Sequence, residues 1–126
     1  MKNRTIFLGL NELNFDYIKF YVAQGNLDNF KKLLEVQPSI ETVSENENKL
    51  LEPWVQWVTI HTGKTFEEHN VFRLGDIVNN PQLSQLFEEL ESEGLTVGAV
   101  SPFNAENRLD NPAYFVPDPW TKTNSS

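Results

Sequence analysis

Apolar and polar positions along this chain alternate between two rhythms. Thr5 to Leu10, TIFLGL, is a short unbroken apolar run. At that length, with Gly9 near its end, it predicts a buried strand rather than a helix. Asn11-Glu12-Leu13-Asn14 interrupts it, and Asn14 is placed to cap a helix in which Phe15, Ile18 and Val22 recur at helical spacing, with Tyr17 and Tyr21 on a neighbouring face. Gly25-Asn26 ends that helix. Asn26 or Leu27 leads into a second one, with Phe30, Leu33 and Leu34 as its apolar stripe and Pro38 closing the segment. Ile40 to Val43 is predicted as a strand, and Ser44 to Lys49 as a polar loop.

The stretch from Leu51 to His69, LEPWVQWVTIHTGKTFEEH, organises the rest. Proline suits the first turn of a helix, where its missing N–H has no partner to lose. Glycine suits the left-handed residue just past a helix end. Pro53 and Gly63 therefore bracket a helix with Glu52 at its N-cap, beside the positive end of the dipole. Trp54, Val55, Trp57, Val58 and Ile60 within it predict burial on nearly all sides. Residues 64–76 read as irregular. Asn80-Pro81 is predicted to open a helix with Leu83, Leu86, Phe87 and Leu90 inward and Glu88, Glu89, Glu91 and Glu93 toward water. Gly94 ends it, and Leu95 to Val100 follows as a buried strand. Beyond Ser101, prolines and asparagines break any period. Tyr114-Phe115-Val116 is expected as a short edge strand and the tail as mobile.

Strands alternating with helices predict an α/β fold with a mostly parallel sheet and helices on both faces, in one domain spanning residues 1–126. Ligands of such sheets bind beyond the C-terminal ends of strands. Asn11-Glu12 and Ser101 fall at such ends, and Glu52 is the residue expected to approach them from its helix start.

Composition narrows the partners. A net charge of −8 argues against a nucleic-acid backbone or an anionic membrane surface, since both are recognised by basic faces. The absence of cysteine removes disulfides and thiolate metal sites. The basic N-terminus and its apolar run lack a small-residue cleavage site, and no apolar stretch approaches the roughly 20 residues of a membrane span. A cytoplasmic location is the resulting expectation. The sequons at Asn3-Arg4-Thr5 and Asn124-Ser125-Ser126 read as chance.

Asn11, Glu12 and Glu52 form the leading chemical constellation. Two carboxylates and an amide oxygen suit a hard divalent cation, and a carboxylate also serves as a general base. The competing role is plain helix capping at Asn14 and Pro53. His61 and His69, separated by a glycine, cannot form a ligand pair on one helix. One buried and one loop histidine are expected. Thr59 and Thr62 carry hydroxyls without a base fixed beside them, and the scattered glycines match no phosphate-binding loop.

The segments IFLGLNELNFDYI, NLDNFKKLLE and EPWVQWVTIHTGKTFEEHNVF, in this order, resemble the N-terminal portion of the alkaline phosphatase superfamily, closest to its phosphodiesterase and sulfatase-like branch. Trp57, Thr62-Gly63 and His69 fall on one pattern of that branch, Leu27-Asp28-Asn29-Phe30 on another, and the GAVSP segment matches the strand that follows. The resemblance reaches to about Ser101. It implies part of a three-layer sandwich and an enzyme acting on phosphate or sulfate esters with divalent metal (Zn, Mn, Mg or Ca). It also implies metal ligation near Asn11 and Glu12 and a catalytic position at Glu52. The departures are substantial. Asn11 stands where the family has a metal-ligand Asp, Glu12 where it has glycine, and Glu52-Pro53 where it has a hydroxyl nucleophile. The family's remaining Asp and His ligands lie further along than this chain extends. An incomplete domain, inactive alone, is therefore expected. The alternative from the residues themselves is a non-catalytic α/β interaction domain that associates, with itself or another chain, through an exposed sheet edge.

Overall fold

The computed structural model describes residues 4–36 and 40–126. The chain divides into two units, Met1–Val43 and Ser44–Ser126.

In the first unit the predicted cap forms. The Asn14 side-chain oxygen accepts from the N–H groups of Asp16 (2.9 Å) and Tyr17 (3.1 Å) and starts α1, Phe15–Ala23. These bonds satisfy donors that the first helical turn leaves without partners. Gly25, at φ 79°, turns the chain out of α1, and α2 covers Asp28–Val36. Ile18 is the buried residue of α1, whereas α2 buries none. The strands predicted for Thr5–Leu10 and Ile40–Val43 do not form: both stretches lack strand pairing among the described residues, and Ile6 and Ile40 are 89% and 88% exposed. A strand is held by ladder bonds to a neighbour, and among the described residues no neighbouring strand pairs with either run. Pro38, the expected helix stop, lies outside the described residues.

The second unit is built around α3, Pro53–Thr62. Proline occupies its first turn and Gly63 ends it in the left-handed conformation at φ 65°, its N–H returning to the Thr59 carbonyl at 2.8 Å. No atom lies within 4 Å of where a Gly63 Cβ would be. Gly63→Ala is therefore expected to cost only the left-handed penalty, about 1 kcal/mol, with Gly63→Asn costing less, as chemical denaturation would measure. The helix is not buried all round. Val55, Val58 and His61 form one buried stripe, while Ile60 is exposed. Spacing of three residues places these side chains on one face, which suffices to anchor a helix to a one-sided core.

After a three-residue turn comes α4, Phe66–His69, inside the stretch read as irregular. Its start is fixed by Glu68, whose carboxylate accepts from the Thr65 N–H (2.8 Å) and hydroxyl (3.0 Å). A 3₁₀ turn at Asp76–Asn79 follows. The helix expected from Pro81 begins later, as α5, Leu86–Ser92. Residues 80–83 instead close a turn through the Leu83 N–H and the Asn80 carbonyl (3.0 Å), which sends Leu83 into the core. That core joins Val58, Val71, Ile77 and Leu83, with Val78 packed against it.

Gly94 takes φ 79° at the end of α5, and β1, Gly98–Val100, pairs in parallel with β2, Tyr114–Val116, in the register Gly98–Tyr114, Ala99–Phe115, Val100–Val116. The fold is thus mixed α/β with a two-stranded parallel sheet among the described residues. Ala99 and Phe115 point into the unit, while Val100, Tyr114 and Val116 are exposed. The tail expected to be mobile is packed: Thr121 is buried, and Ser126 exchanges both backbone hydrogen bonds with Phe115, at 2.7 and 3.0 Å. No described helix is long and apolar enough to cross a membrane.

Candidate functional site

Glu52 sits where the sequence places it, at the N-cap of α3. Its backbone carbonyl accepts from the N–H groups of Val55 (2.9 Å) and Gln56 (3.1 Å), but its side chain makes no capping hydrogen bond and is exposed. A carboxylate at this end of a ten-residue helix stands in the favourable field of the dipole. Asn11 and Glu12 form an exposed turn in the first unit. Glu12 has φ 56°, a left-handed backbone that a glycine adopts without cost and a glutamate rarely adopts. An open groove of about 500 Å³ in the same unit runs between the start of α1 and Ile40–Thr42, with Lys19 and Glu41 paired at 3.3 Å in its lining. Neither Asn11 nor Glu12 lines it.

A divalent cation of the calcium or magnesium kind asks for about six oxygen ligands. Among the described residues no group of three or more His, Asp or Glu side chains converges in a way that would hold a metal ion. Asn11 and Glu12 alone supply one amide oxygen and one carboxylate from one turn, which is not a closed coordination set. No catalytic step through a metal follows from these residues.

The two histidines depart from expectation, since both are buried. His69, at the end of α4, accepts the Val71 N–H on Nδ1 (3.0 Å), and its Nε2 lies 3.2 Å from the Thr59 hydroxyl oxygen. An N–H can only donate, so Nδ1 carries the lone pair and Nε2 the hydrogen in the neutral ring. His69 therefore donates to Thr59 and cannot take its proton. The structure brings a histidine to a hydroxyl, in the tautomer that makes a structural bond rather than an activated nucleophile. Burial holds the His69 pKa below its ordinary value, opposed by the charges of Glu45 and Glu68. The Glu68 carboxyl is lowered chiefly by the Thr65 N–H, then by the Thr65 hydroxyl. Thr62 turns its hydroxyl back to the Val58 carbonyl (2.7 Å) and accepts from the Lys64 N–H (3.3 Å), closing the helix end.

Two buried polar residues that the sequence reading did not single out hold the second unit together. The Asn104 side chain accepts from the Gly75 N–H (2.8 Å) and donates to the carbonyls of Trp54 (2.7 Å) and Arg73 (3.4 Å). Asp118 accepts from the N–H groups of Asn104, Trp120 and Thr121 and from the Thr121 hydroxyl, at 2.7–2.9 Å. The spacing Asp118-x-x-Thr121 is a local signal for such a turn. Nothing local announces Asn104, whose partners are all distant in sequence.

Comparison with protein-family models, curated proteins and solved structures gives no match.

Proposed function

We propose that this chain is the leading part of a metal-dependent phosphoric- or sulfuric-ester hydrolase or transferase, of the phosphodiesterase and sulfatase-like kind within the alkaline phosphatase superfamily, with little or no turnover by itself. The observation that carries the reading is the uncommitted Glu52 carboxylate at the start of the Pro53–Thr62 helix. Capping would have been the ordinary use of that side chain, and it is not used so. Further support comes from Glu12, which holds the glycine-like backbone of the turn where the resembled family has glycine. On this reading the β1–β2 pair belongs to a larger three-layer sandwich, because parallel sheets are stable when both faces are covered and Val100, Tyr114 and Val116 leave one face bare. Weak activity follows from chemistry: stabilising a transferring phosphoryl or sulfuryl group needs preorganised positive charge, and two ligand groups from one turn are too few to hold firmly the cation that would supply it.

Calorimetry with Mn²⁺ or Zn²⁺, paired with a nitrophenyl phosphate and phosphodiester panel, tests the proposal. Weak metal heat is expected, lowered in Glu52→Gln without a fall in melting temperature, and turnover at or near background. A Glu52→Gln variant that lowers the melting temperature and leaves metal heat unchanged would assign Glu52 to helix structure and remove the basis of the reading.

A second reading is favoured by a separate observation: Ile6, Phe7 and Leu8 are exposed in a run with no strand partner among the described residues. Such a run, or the outer edge of β1, suits an interaction domain that adds strands from another chain. Sedimentation showing a stable dimer, with no metal heat, would favour it.

A further inference from the structure

The ring of His61 sits between two other rings. Trp57, one turn earlier on α3, lies at a centroid distance of 5.6 Å and an angle of 30°, and Phe87 of α5 at 5.2 Å and 48°. Its Nε2 is 3.2 Å from the Phe103 carbonyl oxygen. A carbonyl only accepts, so Nε2 carries the hydrogen and Nδ1 keeps a bare lone pair. That Nδ1 is buried without a hydrogen-bond partner, in a residue only 5% exposed. A second proton could go nowhere but Nδ1, where it would create a buried N–H and a full charge facing aromatic walls.

The charged side chains of the elements packed around the ring are committed elsewhere. On α5, Glu88 accepts from the Gln85 N–H, Glu89 from the Ser84 hydroxyl, and Glu91 from the N–H groups of Asp110 and Asn111. Beyond Phe103, Glu106 and Arg108 pair with each other at 2.5 Å. On α3, Glu52 lies at the far end from His61, and Lys64 follows just beyond the helix. Only burial and the Phe103 bond act appreciably on His61. The Phe103 side is secured by its neighbour Asn104, tied to the Trp54 carbonyl, and the Nε2–H survives protonation. The α5 side is the weaker one, because that helix carries no buried residue.

We infer that His61 is an acid-operated latch between α3 and α5: neutral, it seats Phe87 against α3, and on accepting a proton at Nδ1 it releases α5 while the Asn104-anchored remainder of the second unit stays folded. Burial lowers the His61 pKa from 6.5 to about 4, so a released state in which the ring regains its ordinary value gains about 30-fold in population at pH 5 relative to pH 7.5. The sign follows from the released form binding the extra proton. The latch is fully closed above pH 6.5 and weakens as the pH falls toward 4.

Hydrogen exchange of the full chain between pH 7.5 and 4.5, corrected for intrinsic rates, tests this together with NMR titration of the histidine rings. The α5 amides are expected to lose about 30-fold protection at pH 5 while α3 amides keep theirs, and His61→Phe, which fills the slot without titrating, is expected to abolish the response. Persistence of the response in His61→Phe, or pH-independent α5 protection in the wild type, would overturn the inference. Should His61→Phe fail to fold, the wild-type rings decide. A His61 midpoint well below 6.5, with α5 signals following the same curve, supports the latch. A midpoint near 6.5, or α5 signals that track His69 instead, refutes it.

Discussion

Asn104→Ala is expected to lower the stability of the second unit by about 3 kcal/mol, read as a shift in the denaturation midpoint with an unchanged slope. Asn104 is 0% exposed, and among the described residues its side chain is what accepts the Gly75 N–H. Truncation leaves that donor and one face of the Trp54 carbonyl dry and unpaired, each at a cost of about 1 kcal/mol or more. The backbone adds a further share, since Asn104 has φ 49°, where alanine is strained by about 1 kcal/mol and asparagine is tolerated. Asn104→Gly separates the two terms, because it relieves the backbone and keeps the polar loss. It should be about 1 kcal/mol more stable than Asn104→Ala. Asn104→Asp gives a sharper test. Its first oxygen would still accept from Gly75, but the second would face the carbonyls of Trp54 and Arg73, so the carboxyl must hold a proton to be tolerated. That variant's folded form binds a proton its unfolded form has released, so its stability should rise as the pH falls toward the ordinary carboxyl range. An Asn104→Asp variant no less stable than wild type at neutral pH would show that the amide hydrogens contribute nothing.

The contrast between Asn104 and Asn14 shows how much of this fold was legible in the sequence. Asn14 acts on residues two and three places ahead, so its role is written in its neighbours. Pro53, Gly63 and Gly94 are legible for the same reason, as each imposes a backbone state whatever the tertiary surroundings. Tyr114–Val116 was found where its apolar run suggested, and the strand expected over Leu95–Val100 is present in shortened form at Gly98–Val100, although neither run names the other as its partner. The errors arise where a distant partner decides. Thr5–Leu10 has the composition of a strand, but no neighbour pairs with it among the described residues. The Pro81 helix start fails because Leu83 is drawn into the core beside Ile77, leaving Gln85 to serve as the N-cap. A local signal did exist there, since the Glu88 carboxylate accepts the Gln85 N–H at 2.6 Å, but glutamine is an uncommon cap. The same division runs through the candidate site. That Glu52 heads a helix is a local matter and was readable. That His69 meets Thr59 as a donor depends on the Val71 N–H, a pairing set by the left-handed turn at Asn70.

Asp118→Asn is expected to cost about 3 kcal/mol, although the substitution is nearly isosteric. Each carboxylate oxygen receives two donors: Trp120 and Thr121 N–H on one, Asn104 N–H and the Thr121 hydroxyl on the other. An amide must present NH₂ on one side. Turned toward Trp120 and Thr121 it opposes two fixed backbone donors. Turned the other way it opposes only the Asn104 N–H, since the Thr121 hydroxyl can rotate to accept. The second orientation is the cheaper, and it leaves the buried Asn104 N–H without a partner. Thr121→Val should then cost less than Asp118→Asn, because it removes one donor without stranding a backbone group. The effects of Asp118→Asn and Asn104→Ala should not add. Both loosen the same backbone turn at residue 104, so a double variant is expected to be more stable than the sum of the single losses predicts, by about 1 kcal/mol. Strict additivity in that cycle would mean that the Asp118 carboxylate braces only its own turn at Trp120 and Thr121. The link from the C-terminal segment through Asn104 to the start of α3, where Glu52 stands, would then have no energetic content.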